Sequence, residues 1–150
     1  MSRVQLALNV ADLDASVAFY SKLFGAEPAK HRPGYANFAI TEPPLKLVLI
    51  EGEPGQETRL DHLGVEVEST EQVTAATSRL VAEGLATVEE NETSCCYAVQ
   101  DKVWVHGPGR EPWEVYVVKA DADALTKQEG STCCSIASAG VPGTAASSCC

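Results

Sequence analysis

All six cysteines of this 150-residue chain fall in three adjacent pairs, Cys95-Cys96, Cys133-Cys134 and Cys149-Cys150. Neighbouring residues have Cα atoms about 3.8 Å apart across a trans peptide, below the roughly 4.4 Å at which relaxed disulfides begin. A disulfide within a pair would be strained and easily reduced, so in a reducing compartment the pairs are expected as dithiols. Two thiols one peptide apart close a small chelate ring around a soft centre such as Cd(II), As(III) or Sb(III). Structural zinc needs four ligands at C-x2-4-C spacings, which this chain lacks. The plainer reading is that each Cys is a small buried hydrophobe; three pairs and no single cysteine weigh against it.

A harder donor set emerges from an internal repeat. Val4-Gln5-Leu6-Ala7-Leu8-Asn9-Val10 and Asp61-His62-Leu63-Gly64-Val65-Glu66-Val67 share one alternating pattern, and both read as half-buried strands. Their alignment sets Gln5 opposite His62. Period two places Gln5, Ala7 and Asn9 on one face, with His62, Gly64 and Glu66 likewise, and the large aliphatics on the other. Aligning Pro44 with Pro112 sets Lys46 opposite Glu114. If the aliphatic face packs on helices, Gln5, His62 and Glu114 converge in a cup. One amide oxygen, one imidazole and one carboxylate suit a hard to borderline divalent ion, with three positions of an octahedron left open for chemistry. Taken singly, each residue has a blander reading: a solvated Gln5, a half-exposed Glu114, a satisfied His62. Equivalent positions in a repeat strengthen the joint one. His31 and His106 fall in turn-like segments and read as surface residues.

The elements that position these residues repeat as well. After the first strand, Asp12 is an N-cap, Leu13, Val17, Tyr20 and Phe24 form a helical stripe, and Gly25 is a stop. After the second, Ser69 and Gln72 suggest a capping box, Val73, Ala76 and Leu80 a stripe, and Gly84 a stop. Strands follow at Tyr35 to Ile40 and Leu45 to Ile50 in the first half. The second half offers Cys96 to Gln100, Val103 to Val105 and Trp113 to Val118. The expectation is an α+β fold of two βαβββ modules, about 3–52 and 60–118, within a domain of 1–120. Val88 to Ser94 is polar and loop-like, a stretch on which the Cys95-Cys96 pair could swing. Residues 121–150 are read as a flexible tail, because Gly130 to Cys150 holds few large apolar residues to offset the entropy of ordering.

A formal charge of −10, from 11 basic and 21 acidic residues, repels phosphate backbones and makes nucleic acid and anionic membranes poor partners. No apolar run approaches the roughly 18 residues of a membrane span. The N-terminal residues lack an export signal, so a cytoplasmic location is expected. Two modules in one chain complete a cup alone, so either a monomer or a homodimer is adequate.

Paired βαβββ modules with metal ligands on their opening and closing strands resemble the vicinal oxygen chelate superfamily, across roughly residues 3 to 118. More narrowly, Asn9-Val10-x-Asp12-Leu13, Phe19-Tyr20-x-x-Leu23-Phe24-Gly25, Pro43-Pro44-Leu45, Asp61-His62-Leu63-Gly64, Pro112-Trp113-Glu114 and the unusual run from Cys95 to Val105 are similar to the organoarsenical carbon–arsenic lyases, which are grouped with cadmium-induced proteins. The resemblance implies an Fe(II)-dependent, O2-consuming enzyme that detoxifies trivalent organoarsenicals, methylarsonous acid and reduced aromatic arsenicals among them, and releases arsenite. It implies that His62 and Glu114 are metal ligands and that Cys95 and Cys96 bind arsenic. Gln5 departs from it, standing where such proteins commonly carry His.

On this reading ligand softness divides the work: arsenic goes to thiolates and iron to nitrogen and oxygen. Lys102 is a candidate stabiliser of developing negative charge, against a solvated lysine paired with Asp101. Cys133, Cys134, Cys149 and Cys150 are candidates for collecting arsenic, Sb(III) or Cd(II). Two rivals stand beside the lyase. A glyoxalase-like isomerase would use a carboxylate where the alignment puts Lys46. A sequestering protein would need the cysteines alone.

Overall fold

Asp12 Oδ1 accepts the backbone N–H of Ala15 at 2.9 Å, and Gly25, at φ 62°, adopts the left-handed turn that ends the helix between them, α1 (Leu13–Phe24). Ser69 caps α2 (Thr70–Ala82) in the same way through the N–H of Gln72. The strands are β1 (Arg3–Val10), β2 (Lys30–Arg32), β3 (Tyr35–Ile40), β4 (Leu45–Glu51), β5 (Arg59–Glu66), β6 (Val88–Cys95), β7 (Ala98–His106) and β8 (Pro112–Asp121). This is a computed structural model and describes residues 1–125. Cys133, Cys134, Cys149 and Cys150 lie outside the described residues. Among the described residues no helix is long and apolar enough to cross a membrane.

The strands form one mixed sheet in the order β2-β3-β4-β1-β5-β8-β7-β6. Each module is βαβββ, and the antiparallel pair of β1 and β5 joins them at the centre. The aliphatic face behaves as the alternation predicts. Val10, Leu13, Ala36, Phe38, Ile40, Leu47 and Leu49 form a core under α1, packed against by Leu6, Leu8, Val17, Tyr20 and Phe24. Val73 and Leu80 of α2 pack with Val103 and Val117. Each fully buried Leu or Phe contributes about 1.5–3 kcal/mol, so the helices hold the sheet from outside and leave the opposite face concave.

Three expectations change. Val88 to Ser94 is not a loop but most of edge strand β6, which pairs with β7 on one side only. Its polar residues suit an edge, and a register shift between Glu90 and Thr93, with Glu92 at φ 55°, breaks the alternation that would reveal it. Strand β7 runs unbroken through Asp101 and Lys102, where the sequence suggests two pieces. Strand β2 contains His31, and His106 ends β7; neither lies in a turn.

The two ends of the sheet meet. Lys30 Nζ, on β2, donates to Tyr97 O at 2.9 Å, and Tyr97 Oη donates to Pro33 O at 3.0 Å. Leu125 O and Ala124 O accept the N–H groups of Cys96 and Tyr97, both at 2.9 Å. The tip between β6 and β7 is therefore pinned across the mouth of the concavity, in place of the swinging segment expected.

Candidate active site

The central strands put Gln5 opposite Gly64 and Ala7 opposite His62. On the next strand pair, Gly64 stands beside Glu114. His62 lies two residues from Gly64 along β5 and therefore shares the face that Glu114 presents. Gly64 is what lets its neighbours meet, because a Cβ there would lie 3.1 Å from Glu114 Cγ and 3.3 Å from both Gln5 Cβ and Nε2.

Gln5, His62 and Glu114 are brought together and are only 4%, 3% and 2% exposed. Gln5 Nε2 donates to Glu114 Oε1 at 2.7 Å and lies 2.9 Å from His62 Nε2, and His62 Nε2 lies 3.3 Å from Glu114 Oε1. Donors about 2.1 Å from a six-coordinate ion sit about 3 Å apart on one face of its octahedron. The three spacings fit that face if the amide oxygen of Gln5 takes the place its Nε2 occupies. Among the described residues no group of three or more His, Cys, Asp or Glu is placed to hold a metal, so a metal at this position needs the amide as its third donor. Coordination by an amide uses its carbonyl oxygen, which in Gln5 points away from the other two donors.

The imidazole is aimed from behind. Strand β5 carries a bulge at Asp61, between the pairs Ala7 with His62 and Leu8 with Leu60. The bulge allows two consecutive residues to share a side: His62 Nδ1 bonds Asp61 Oδ1 at 2.6 Å, and Asp61 Oδ2 accepts from Asn9 Nδ2 at 2.7 Å. A carboxylate on Nδ1 leaves Nε2 for a metal. Burial alone would depress the His62 pKa, but the bonds to Asp61 and Glu114 outweigh it and raise it to about 9. Burial would raise the Glu114 carboxyl, but Lys102 and His62 hold it well below the usual carboxylate range.

Lys102, only 2% exposed, is the other partner of Glu114, with Nζ 2.7 Å from Oε2. The expected alternative, a solvated pair with Asp101, is overturned by strand alternation. Asp101 points to the helix side, where Thr70 Oγ1, the N–H of Glu92 and Lys119 Nζ approach it at 2.7, 2.8 and 3.2 Å. Lys46, beside Gln5, pairs with Glu66 Oε2 at 2.9 Å, and Arg3 Nη2 donates to Glu66 Oε1 at 2.9 Å. Tyr116 Oη reaches Glu66 Oε2 at 2.8 Å and also bonds Gln5 Oε1.

Cys96 and Tyr97 form a two-residue hairpin turn at φ 55° and 58°, closed by the pair Cys95 with Ala98. Both left-handed positions normally favour Gly or Asn, and each costs roughly 1–2 kcal/mol in an ordinary residue. The pins on Tyr97 and the Cys96 N–H offset that strain. The turn carries Cys96 back toward its neighbour, and the two sulfurs lie 3.2 Å apart, close enough to share one ligand atom. Cys96 is a free thiol, whereas Cys95 is disulfide-bonded, so the Cys95-Cys96 pair is not the dithiol the sequence leads one to expect. Burial pushes it up to about 12, and its charged neighbours are Lys102, Glu114, Asp61 and Lys46, the lining of the cup. Its side also packs on Ala7, Tyr35, Val48 and Ile50.

Asp61, Tyr116, Gln100 and Trp104 were not legible as site residues, and Glu66 only as a residue on the face of the cup. Gln100 and Trp104 flank Lys102 at period two and share its face; Gln100 Oε1 and Trp104 Nε1 are buried without a hydrogen-bond partner among the described residues. The one available signal was a run of polar residues inside strand-like sequence, Asp61-His62 and Gln100-Asp101-Lys102.

Comparison with known proteins agrees with this fold. The model of the Glyoxalase/Bleomycin resistance protein/Dioxygenase superfamily matches residues 3–116. The trivalent organoarsenical cleaving enzyme of Thermomonospora curvata is 70% identical over 145 residues, covering 97% of this chain and 96% of that protein. The cadmium-induced protein CadI of Mycobacterium tuberculosis is 57% identical over 143 residues, covering 89% and 93%. In fold, the chain is similar to the Mn(II)-bound glyoxalase from Novosphingobium aromaticivorans, with a TM-score of 0.57 at 23% identity over 83% of this chain and 44% of that one. A variant of homoprotocatechuate 2,3-dioxygenase from B. fuscum gives 0.58 at 21% identity, over 81% and 33%.

Proposed function

Because this chain belongs to the Glyoxalase/Bleomycin resistance protein/Dioxygenase superfamily, and a relative 70% identical to it is named as a trivalent organoarsenical cleaving enzyme, we propose that it cleaves the carbon–arsenic bond of trivalent organoarsenicals. Methylarsonous acid and reduced aromatic arsenicals are the substrates, arsenite is released, and detoxification is the purpose. The observation that carries the reading is the placing of the Cys95-Cys96 sulfurs and the Gln5, His62 and Glu114 donors in one concavity.

Once a thiol reductant has reduced the Cys95 disulfide, Cys95 and Cys96 condense as thiols with the two hydroxyls of an arsonous acid; two As–S bonds form, and each thiol proton leaves with a hydroxyl as water. A high thiol pKa does not impede this step, because the proton is consumed in it. The condensation fixes arsenic at the rim of the cup, and proximity of this kind supplies several kcal/mol of barrier lowering. Gln100 Oε1 and Trp104 Nε1 offer hydrogen bonds to polar substituents of an aromatic organic group. Gln5, His62 and Glu114 hold Fe(II), which when bound supplies the activation of O2 that bond cleavage needs. Lys102 keeps Glu114 ionised and presents a buried cation where negative charge develops.

The reaction belongs in the cytoplasm, whose thiol pool would reduce the Cys95 disulfide and hold both cysteines as thiols. One chain carries the whole cup, so monomer and homodimer are both competent. The same thiol pair accepts Sb(III) or Cd(II), and Cys133, Cys134, Cys149 and Cys150 would deliver such ions to it.

The test is protein reduced with a thiol reagent, loaded anaerobically with Fe(II) and mixed with methylarsonous acid, with arsenite followed as O2 is admitted. Release that requires O2, Fe(II), Cys96 and His62 supports the lyase. Tight binding with no arsenite overturns it in favour of sequestration.

A further inference from the structure

Tyr116 joins the donor set to a charged network. Its hydroxyl carries one proton, yet two oxygens face it, Gln5 Oε1 and Glu66 Oε2. Glu66 is fixed as an acceptor by Lys46 at 2.9 Å on one oxygen and Arg3 at 2.9 Å on the other. One of the two acceptors must therefore go without the proton, in a part of the sheet where Gln5 is 4% and Tyr116 0% exposed. A buried oxygen left unbonded is costly. At the other end of the same amide, Gln5 Nε2 faces Glu114 and His62.

Half a turn of the amide about its last bond exchanges the two ends. The NH2 then donates to Tyr116 Oη, the Tyr116 proton goes wholly to Glu66, and every group on that side is satisfied. At the centre, Gln5 Oε1 then meets Glu114 Oε1 and His62 Nε2, an approach of acceptors that needs either a proton on His62 Nε2 or a cation between them. The ring of Tyr116 is held in place by Lys46 and Lys102, whose Nζ atoms stand 5.0 and 5.8 Å from its centroid.

We propose that Gln5 is a two-position ligand and that Tyr116, anchored by Glu66 and Lys46, is the positioning residue that turns its carbonyl oxygen toward a bound divalent cation. This rests on the assignment of Gln5, His62 and Glu114 as metal ligands. It gives Lys46 a role, since it sets Glu66 as the acceptor against which Tyr116 works. An imidazole at position 5 would coordinate through one nitrogen and have no ends to exchange, so it would not depend on Tyr116.

The experiment titrates metal-free protein with Co(II) or Mn(II) alone by calorimetry. Y116F is expected to weaken binding about 10-fold and E66Q to weaken it too, as loss of an outer-sphere partner does. In a Q5H background the same Y116F change is expected to alter affinity by less than about 2-fold. Equal losses in both backgrounds, or no loss in either, would overturn the proposal. Side-chain amide NMR of the unmutated protein avoids any folding defect: Zn(II) should move the Gln5 NH2 resonances, and coupling to Tyr116 in place of Glu114 is the expected result. Gln5 NH2 signals unmoved at saturating Zn(II) would refute it. If H62A binds these ions as well as the unmutated protein, the ligand assignment itself fails, which is a separate outcome.

Discussion

Gly64 separates the two side chains that would share an ion, and G64A tests that sharing directly. A Cβ at this position lies 3.1 Å from Glu114 Cγ and 3.3 Å from Gln5 Cβ and Nε2, where ordinary contacts between heavy atoms run about 3.5–4.0 Å. Each neighbour must withdraw by about 0.3–0.5 Å, in opposite directions. The 2.7 Å separation of Gln5 Nε2, the place the amide oxygen takes on coordination, and Glu114 Oε1 then opens to about 3.3–3.7 Å, beyond the roughly 3 Å that one ion with ligands at about 2.1 Å allows. Overpacking of this size costs about 1–3 kcal/mol. If the ion must restore the original spacing to bind, that cost appears as a loss of affinity of about 5- to 160-fold. The assay is a calorimetric titration with Co(II), run beside thermal unfolding of the metal-free protein. A lower Tm with weaker binding is expected. Co(II) affinity equal to that of the unmutated protein would refute the argument, because Gln5 and Glu114 would then not meet on one ion.

The His62 pKa of about 9 makes metal binding displace a proton, so apparent affinity should rise about 10-fold per pH unit between pH 6.5 and 8 and level off above 9; a flat profile would show that His62 is not a ligand. The same raised value stabilises the metal-free fold by on the order of 3 kcal/mol below pH 6.5, and that stability is lost as pH rises toward 9, which urea unfolding at several pH values would measure. D61N removes the acceptor on His62 Nδ1 and should weaken Co(II) binding about 10- to 100-fold, with the fold judged by circular dichroism. Q100L removes a buried acceptor and should lower the preference for aminophenyl over phenyl arsenic(III), as a ratio of kcat/KM, by about 5- to 10-fold; an unchanged ratio would place the organic group elsewhere.

Much of this fold is written in short-range pattern. Alternation in Val4 to Val10 and Asp61 to Val67 shows which face of β1 and β5 meets the helices, and Asp12, Gly25 and Ser69 mark helix ends, because these signals depend on a residue and its near neighbours. The repeat then put Gln5, His62 and Glu114 on one face without any knowledge of distance. The residues that complete the cup were hidden for the opposite reason. Asp61 reaches His62 only through a bulge, β6 lost its alternation to another bulge at Glu92, and Cys96 turns toward Cys95 only because Cys96 and Tyr97 hold left-handed backbone angles. Those angles are sustained by Lys30, Pro33, Ala124 and Leu125, distant in sequence from the turn they hold. Sequence alone therefore determined which atoms are available and which side of the sheet they occupy. Their convergence was decided by tertiary structure, since contacts across the sheet offset local strain that no local preference would choose.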